Sequence, residues 1–347
     1  MAYTTINKST DYFNTKLYTG NGGTNALTGV GFQPDLTWMK RRDQSAWHYF
    51  TDAVRGVTKT IYSNDTSAEG TKSNGLTAFG TDGFTVGDEG DINENNGSYV
   101  AWNWKANGSG SANTDGSINS TVSVNTTAGF SIVSYTGTGA TATVGHGLGV
   151  TPDVIIFKCR ETATDWTTFH TSLGGANKNL SLNTSSAVGT DTDYFANTNP
   201  TSTVFSVGAA SNTNRSSEGM IAYCFAEKTG YSKFGSYTGN GNANGTFVYT
   251  GFKPSFYMVK QTNASGEGWF MWDNKRSSAS GANVNNRYLI ANSSASDGTL
   301  GVDCDFLSNG VKTRYGSSAT NTSGGTYIYM AFGQSLVGSN NVPCTAR

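Results

Sequence analysis

The stretch Tyr18-Thr19-Gly20-Asn21-Gly22 occurs three times with small changes, and the prediction of the fold is based on this recurrence. The second copy begins at Tyr135 and reads Tyr-Thr-Gly-Thr-Gly, and the third begins at Tyr237 and reads Tyr-Thr-Gly-Asn-Gly. A proline and an apolar run that ends in lysine follow each copy, at Pro34 and Lys40, Pro152 and Lys158, and Pro254 and Lys260. Landmarks that return in a fixed order indicate one structural unit copied in tandem.

Two later landmarks also recur in the same order. A tryptophan follows each lysine, at Trp47, Trp166 and Trp269. Each copy then closes on an aromatic strand, in which alternation with a period of two places one set of side chains on one face, most simply toward the core. We interpret the following residues as the structural repeat core: Val100, Trp102, Trp104, Ile221, Tyr223, Phe225, Ile328, Met330 and Phe332.

The composition favours β-structure throughout. The apolar runs are short, rich in β-branched and aromatic residues, and separated by Gly, Asn, Asp and Ser, which is typical of a sandwich or barrel. The chain has 44 glycines and only 14% charged residues, so long helices held by charge pairs are not expected. We predict an all-β chain of three tandem β-sandwich repeats, jelly-roll or lectin-like, of about 100 residues each.

The domain boundaries follow from the repeats and from one change in composition. Residues 1–105 form the first predicted repeat with an N-terminal segment, residues 129–229 form the second, and residues 230–347 form the third with a C-terminal tail. Residues 106–128 are mostly Gly, Ser, Thr and Asn with little apolar content, which predicts a linker that is either flexible or held along the protein surface. No such linker separates the second and third repeats, so we expect those two to be fixed against each other.

Charge and hydropathy exclude several classes of function. The formal net charge is −1 and the basic residues are scattered, so the electrostatic footprint of a nucleic-acid-binding protein is absent. No apolar run reaches the roughly 18 residues of a membrane span, and we expect no membrane insertion. The N-terminal residues lack the charged-then-apolar pattern of a signal peptide.

Cysteine and histidine do not point to a catalytic or cofactor site. The cysteines Cys159, Cys224, Cys304 and Cys344 show no metal-ligand spacing and are interpreted as buried thiols, with a Cys159–Cys224 bridge as the alternative. The histidines His48, His146 and His170 are not accompanied by a Gly-x-Ser-x-Gly elbow or by clustered cysteines. We therefore assign no catalytic residue, no metal ligand and no cofactor.

Two acidic features have alternative readings. The spacing of Asp91, Asn93 and Asn95 faintly resembles a calcium loop, but the glycine falls one place late and Trp102 stands where a glutamate is needed. We interpret residues 88–97 as a solvated turn, with bound Ca²⁺ as the alternative. The sequence neighbours Asp52 and Arg55 recur as Asp273 and Arg276, which favours structural ion pairs over a ligand site.

Exposed aromatic rings are typical of sugar-binding proteins, because flat rings contribute large contact areas at low entropy cost. The candidates are Tyr18, Tyr135, Tyr237, Trp47, Trp166, Trp269 and Trp272. A residue that recurs in every copy is more often required for folding than for binding a ligand. The recurrence therefore favours a core role for these rings, with sugar binding as the alternative.

Several longer stretches together resemble the three-repeat structural proteins of tailed bacteriophages of aquatic bacteria, often described as tail fibres. The stretches that carry the resemblance are Met1–Ile6, Pro34–Lys40, Asp52–Gly56, Val144–Leu148, Ala222–Glu227, Gly230–Gly241 and Val342–Arg347. The resemblance covers essentially the whole chain. It implies a virion component assembled in the host cytoplasm, with other virion proteins as partners, and it carries over no catalytic residue.

The functional expectation is a non-enzymatic phage protein on the virion surface. Its role would be host attachment as a tail fibre, spike or appendage, with a host cell-surface glycan as partner and a homo-oligomer on the particle. The chain has no heptad or collagen-like shaft, which keeps an architectural capsid decoration protein open as an alternative. A polysaccharide depolymerase is the third reading.

Overall fold

The computed structural model describes residues 3–276 and 285–338. This part of the chain is nearly all β, with 44% of residues in strands and 4% in helices. The predicted all-β class is confirmed. The C-terminal stretch Val342–Arg347 and Cys344 within it lie outside the described residues.

The first third of the chain forms a two-layered arrangement of sheets. It begins with a 3₁₀ turn (Ser9–Asp11), and its only α-helix within the described residues is the short α1 (Gly90–Asn93). Its strands are β1 (Phe13–Thr19), β2 (Asn25–Thr28), β3 (Leu36–Arg41), β4 (His48–Asp52), β5 (Lys59–Tyr62), β6 (Gly70–Thr71), β7 (Leu76–Gly80), β8 (Gly83–Val86) and β9 (Ser98–Trp104). The first main sheet has the order β1-β9-β3-β4-β5-β6, and β2-β8-β7 form a small sheet beside it.

The second third repeats this strand order and adds two strands at one edge. Its strands are β10 (Ser111–Asn113), β11 (Ser120–Asn125), β12 (Phe130–Thr136), β13 (Ala142–Gly145), β14 (Val154–Cys159), β15 (Thr167–His170), β16 (Lys178–Ser181), β17 (Gly189–Thr190), β18 (Val204–Val207) and β19 (Gly219–Phe225). A 3₁₀ turn (Thr171–Leu173) and the short helix α2 (Ser211–Asn214) complete it. The second main sheet runs β10-β11-β12-β19-β14-β15-β16-β17, with β13-β18 as the small sheet.

The last third joins its two layers into one continuous sheet. Its strands are β20 (Ser232–Thr238), β21 (Phe247–Tyr249), β22 (Lys253–Gln261), β23 (Phe270–Asp273), β24 (Asn285–Ile290), β25 (Gly298–Leu307), β26 (Gly310–Thr313) and β27 (Thr326–Gln334). The third main sheet runs β20-β27-β22-β23-β24-β25-β26-β21. The order β20-β27-β22-β23-β24 matches β1-β9-β3-β4-β5 of the first sheet.

The central strands β9, β19 and β27 are buried on both faces. Their nine core residues named in the sequence analysis all lie in one hydrophobic cluster that is shared by the three main sheets. Their other faces enter three separate clusters, one for each sheet, with Ala101 in the first, Ala222 in the second and Ala331 in the third. Each main sheet therefore has a core of its own on one face and a common core on the other.

Aromatic rings from all three sheets meet in the common core. Trp104 packs edge-on against Phe225 at 6.3 Å and against Phe332 at 5.7 Å between ring centroids. Phe13, close to the chain start, stacks on Phe332 at 5.3 Å. Aromatic pairs contribute beyond the apolar area that they bury, so this cluster holds the first sheet to both of the others.

Backbone hydrogen bonds link the three main sheets in a ring. The Glu69 amide donates to the Arg160 carbonyl at 2.7 Å, and this contact marks the first–second junction. The Val188 amide donates to the Thr262 carbonyl at 2.8 Å at the second–third junction. At the third–first junction the Asp297 amide donates to the Arg42 carbonyl, also at 2.8 Å. The three junctions thus use the same backbone contact.

The prediction of a flexible linker over residues 106–128 is wrong. Within this segment β11 pairs with β12 over six residues, from Ser120 opposite Tyr135 to Asn125 opposite Phe130. Ile118 and Val122 are buried in the core of the second sheet. A strand with one face toward the core needs an apolar residue only at alternate positions, because its backbone hydrogen bonds supply the rest of the attachment. The low apolar content was therefore compatible with a strand.

The described cysteines are buried thiols that are not joined in a disulfide, namely Cys159, Cys224 and Cys304. Cys224 lies opposite Ile155, and Cys159 lies opposite Met220, so the two thiols of the second sheet are offset by four residues. The alternative of a Cys159–Cys224 bridge is therefore wrong, and the buried-thiol reading is confirmed for these three.

We predict that a broad-specificity protease such as proteinase K does not cut residues 106–128 preferentially in the folded protein. Cleavage needs a locally unfolded segment, and β11 is held by its ladder with β12. Mass spectrometry of a digestion time course measures this. The matched control is Val122→Asp, which puts a charge into the second core and should release cleavage here. Early cleavage of the unmodified chain into fragments near residues 1–110 and 115–347 would contradict the prediction.

Candidate functional site

Each of the three Tyr-Thr-Gly turns, which begin at Tyr18, Tyr135 and Tyr237, is held by a buried asparagine. The side-chain oxygens of Asn93, Asn214 and Asn321 accept a backbone N–H from the turn, at 3.1, 2.8 and 3.0 Å. The tyrosines of the turns donate their hydroxyls to carbonyls just before these asparagines, Tyr18 to Ile92 and Tyr237 to Thr320. This arrangement explains the recurrence as a requirement of folding.

The contacts of Asn93 also concern the alternative that residues 88–97 bind Ca²⁺. The Asn93 side-chain amide donates to the Gly23 and Gly87 carbonyls at 2.6 and 2.7 Å, so it points into the protein. The Asp91 carboxylate instead accepts the Tyr49 hydroxyl at 3.4 Å. Among residues 3–276 and 285–338, no group of three His, Cys, Asp or Glu side chains is placed to hold a metal ion. Asp91 and Asn93, two of the three candidate ligands, therefore point to different places.

The predicted pairs Asp52–Arg55 and Asp273–Arg276 are buried ion pairs with N–O distances of 2.5 Å, and the side chains of all four are fully buried. The Arg55 guanidinium also donates to Glu69 at 3.2 Å, and Glu69 receives two further bonds from Arg160. At the third–first junction Arg276 donates to Asp297, which also receives a bond from Arg42. Both networks thus bridge two sheets.

Side chains from neighbouring sheets complete these two networks. The Tyr223 hydroxyl of the second sheet donates to Asp52 at 2.7 Å, and the Trp102 indole of the first sheet donates to Asp273 at 3.0 Å. The burial of Arg55 would lower its pKa, but Asp52, Tyr223 and Glu69 outweigh this effect and raise it. We define these groups as the junction ion networks: Asp52, Arg55, Glu69 and Arg160, and Asp273, Arg276, Asp297 and Arg42.

Among the residues that the structure describes, the second–third junction has no such network. By strand register His170 stands where the other junctions have Asp52 and Asp273. The corresponding positions of the other charged residues are taken by Leu173, Val188 and Thr262. A cavity of about 440 Å³ opens here, and these last three residues help to line it. We call it the junction cavity.

The remaining histidines are buried as well. His48 accepts the Trp38 indole N–H at 2.9 Å, and its pKa is lowered well below the usual range by burial.

A shared hydrogen bond identifies the residues that correspond between the three copies. The backbone amides of His48, Trp166 and Trp269 each donate to the side-chain oxygen of an asparagine later in the chain, namely Asn64, Asn183 and Asn292. Thus His48, and not Trp47, occupies the position of Trp166 and Trp269. The landmark tryptophan of the first copy lies one residue before this position.

The predicted aromatic candidates do not form a sugar-binding surface. Tyr18, Tyr135, Trp166, Trp269 and Trp272 are buried. Tyr237 is partly buried, and only Trp47 has a substantially exposed ring, which packs on Tyr62 at 4.6 Å. The core reading therefore agrees with the burial of the recurring rings.

Three other aromatic side chains form an exposed group on the third sheet. Phe247 and Tyr249 lie two residues apart on β21 and point to the same outer side, with exposed fractions of 42% and 57%. Tyr3 is 43% exposed and donates its hydroxyl to the Gly251 carbonyl at 3.0 Å. We call Tyr3, Phe247 and Tyr249 the aromatic strip.

Two glycines leave room for side chains of the strip to lie close to the backbone. A Cβ atom at Gly310 would lie 2.8 Å from the Phe247 ring, so the ring covers this glycine. A Cβ atom at Gly251 would lie 2.6 Å from the Tyr3 hydroxyl, and Gly251 has φ +82°, which disfavours other residues. Partial burial and a hydrogen bond with Tyr249 raise the pKa of Tyr3.

The corresponding strands of the other sheets carry no such rings. Register places Ala26 and Thr28 on β2 at the positions of Phe247 and Tyr249, and both are exposed. On β13 the corresponding residues are Thr143 and Gly145, and the loop after β10 covers this strand through the bridge of Ile118 with Val144. The sequence analysis missed the strip because it looked for aromatic residues that recur.

We predict that Arg55→Leu lowers the free energy of unfolding by about 3–5 kcal/mol, because it leaves the buried Asp52 carboxylate without its partner. Leucine occupies the corresponding position in the second third of the chain, at Leu173, so the fold accommodates a side chain of this size there. Chemical denaturation measures the effect. The control Arg215→Leu breaks the partly exposed Arg215–Glu218 pair and should cost no more than about 1 kcal/mol. Equal effects of the two changes would contradict the prediction.

A second prediction concerns pH. Burial of the ring lowers the pKa of His170 to about 4, and this effect outweighs the contact with the Tyr329 carbonyl, which raises the pKa. As the pH falls from 6.5 toward 4, the unfolded chain binds a proton that the folded chain does not, so stability falls by up to about 3 kcal/mol. Denaturation of the protein and of His170→Gln across this range measures it. The variant should show the shallower decrease, and parallel curves would refute the assignment.

The chain matches the model of one protein family. This family is described as Domain of unknown function (DUF7483), and the match covers residues 8–335. The chain therefore belongs to the DUF7483 family. No curated protein matches it. No helix in the described part of the chain is both long and apolar enough to cross a membrane.

Proposed function

We propose that this member of the DUF7483 family is a non-enzymatic protein of the phage virion surface that binds host cell-surface glycans through the aromatic strip. The resemblance to three-repeat phage structural proteins supports the virion location. The aromatic strip is the observation that supports the binding activity. Other virion proteins and further copies of this chain would be its partners on the particle.

The argument for the strip is the contrast between the three sheets. Large exposed apolar side chains are tolerated singly, but a group of them marks an interaction site. The fold does not require rings at these positions, since Ala26 and Thr28 stand there on the first sheet. Phe247 and Tyr249 lie about 7 Å apart along β21, so they offer neighbouring flat faces to a sugar chain. Aromatic rings combine an apolar face with, in tyrosine, a polar tip.

We also propose that the fold consists of three tandem copies of one β-sandwich unit. The shared strand order, the buried asparagine in each turn and the shared backbone contact at each junction support this reading. In such an arrangement, positions common to all copies serve the fold. Positions that differ, as in the strip, are free to serve binding.

The test is glycan binding by the purified full-length protein. Phe247→Ala and Tyr249→Ala should each reduce binding to the preferred surface glycan of the host at least tenfold, with an unchanged melting temperature, because both side chains are exposed. Trp47→Ala is the matched control, since it removes an exposed ring on another sheet. Binding that is absent from the unmodified protein, or equal in all variants, would overturn the glycan proposal.

A gain of function sharpens the test. Ala26→Phe combined with Thr28→Tyr places the same pair of rings on β2 of the first sheet. This variant should bind the same glycan more tightly in avidity formats, because two strips act together. Cryo-EM of the particle is the accompanying measurement: density on the tail supports the attachment role, and density on the head supports capsid decoration instead.

A further inference from the structure

We infer that the junction cavity is a binding site for a small neutral ligand rich in hydroxyl groups, such as a monosaccharide. The site is distinct from the aromatic strip, and the inference does not depend on the proposed attachment function. It follows from a comparison of the three junctions, from the chemistry of the cavity lining and from the fixed position of the cavity walls.

The cavity occupies the place that charged side chains fill at the other junctions. There, two guanidinium groups and two carboxylates occupy the space between neighbouring sheets. At the second–third junction Leu173, Val188 and Thr262 replace three of these four groups, and each is shorter than the arginine or acid that it replaces. The resulting volume of about 440 Å³ falls in the range of small-molecule sites.

The walls are fixed although the ion network is missing. The Val188 amide still bonds to the Thr262 carbonyl at 2.8 Å, as the corresponding residues do at both other junctions. The Thr262 hydroxyl lies 2.7 Å from the Thr326 hydroxyl, which joins β27 to the same wall. The sheets therefore keep their spacing, and the cavity is preformed. A preformed site avoids the cost of ordering the protein on binding.

The lining selects against charged ligands. It consists of hydroxyl-bearing residues, chiefly Ser172, Ser236, Thr238 and Thr262, and of apolar side chains such as Leu173 and Val188. None of the described residues that line it carries a formal charge. A charged ligand would lose hydration without gaining a partner of opposite charge.

The same lining suits a sugar ring. Ser236 and Thr238 on β20 are exposed at the mouth of the cavity, and Ser172 lines it beside Leu173, so their side-chain hydroxyls are placed to bond to a ligand. Leu173 and Val188 offer apolar surface to the C–H face of the ring. A monosaccharide presents both kinds of surface, whereas a purely apolar ligand would leave the hydroxyls unpaired.

The test uses the full-length protein and isothermal titration calorimetry. The probes are D-glucose, D-galactose and N-acetylglucosamine as neutral sugars, with glucuronate and glucosamine as charged counterparts. At least one neutral sugar should bind, and its charged counterparts should bind at least tenfold more weakly. Absence of binding by every neutral sugar at millimolar concentration, or a preference for a charged one, would overturn the inference.

A filling variant locates the binding. Val188→Glu combined with Thr262→Arg supplies the pair that the first–second junction has at Glu69 and Arg160, and it should abolish sugar binding while the protein stays folded. Val188→Phe fills the cavity without charge, and should reduce binding at least tenfold if the double variant does not fold. Tyr249→Ala, on the aromatic strip, should leave this binding unchanged. Sugar binding that persists in the folded filling variants would refute the assigned site.

Discussion

The central strands of the three main sheets are apolar on both faces, and this constraint governs the architecture. One face is covered by the small sheet or by the folded-over strands of the same third of the chain. The other face carries residues such as Trp102, Tyr223 and Met330, which neither of those layers reaches. These faces are removed from water only when the three main sheets meet. Because burial of apolar surface is the main favourable contribution to folding, none of the three sheets completes its core alone.

The ring of sheets is closed by backbone contacts, and this leaves the side chains around them free to differ. The same amide-to-carbonyl bond occurs at all three junctions. Ion networks surround it at two junctions, where each buried charge has a partner. At the third, His170 is neutral and bonded on both ring nitrogens, and a cavity takes the remaining space. Buried charges contribute little net stability once desolvation is counted, so a junction without them is compatible with the fold.

The differences between the sheets are more informative about function than their common features. The buried asparagines and the turn tyrosines are common to all three sheets, and their contacts are internal. Phe247 and Tyr249 stand on one sheet only and point to solvent. A search for recurring aromatic residues therefore finds the core, and it passes over the exposed rings. The register of β21 against β26 was needed to show that Ala26 and Thr28 are their counterparts.

The amino-acid sequence alone was sufficient to predict the all-β class and to place the nine core residues on one face of the closing strands, because these features depend on alternation over a few residues. It also indicated the Asp52–Arg55 and Asp273–Arg276 pairs through their close spacing. The assembled fold was needed to show that residues 106–128 contain the strands β10 and β11, that the nine core residues share one cluster, and that a cavity replaces the ions at one junction. Each of these depends on contacts between residues far apart in the chain, and local pattern carries no information about which distant surface covers a given face.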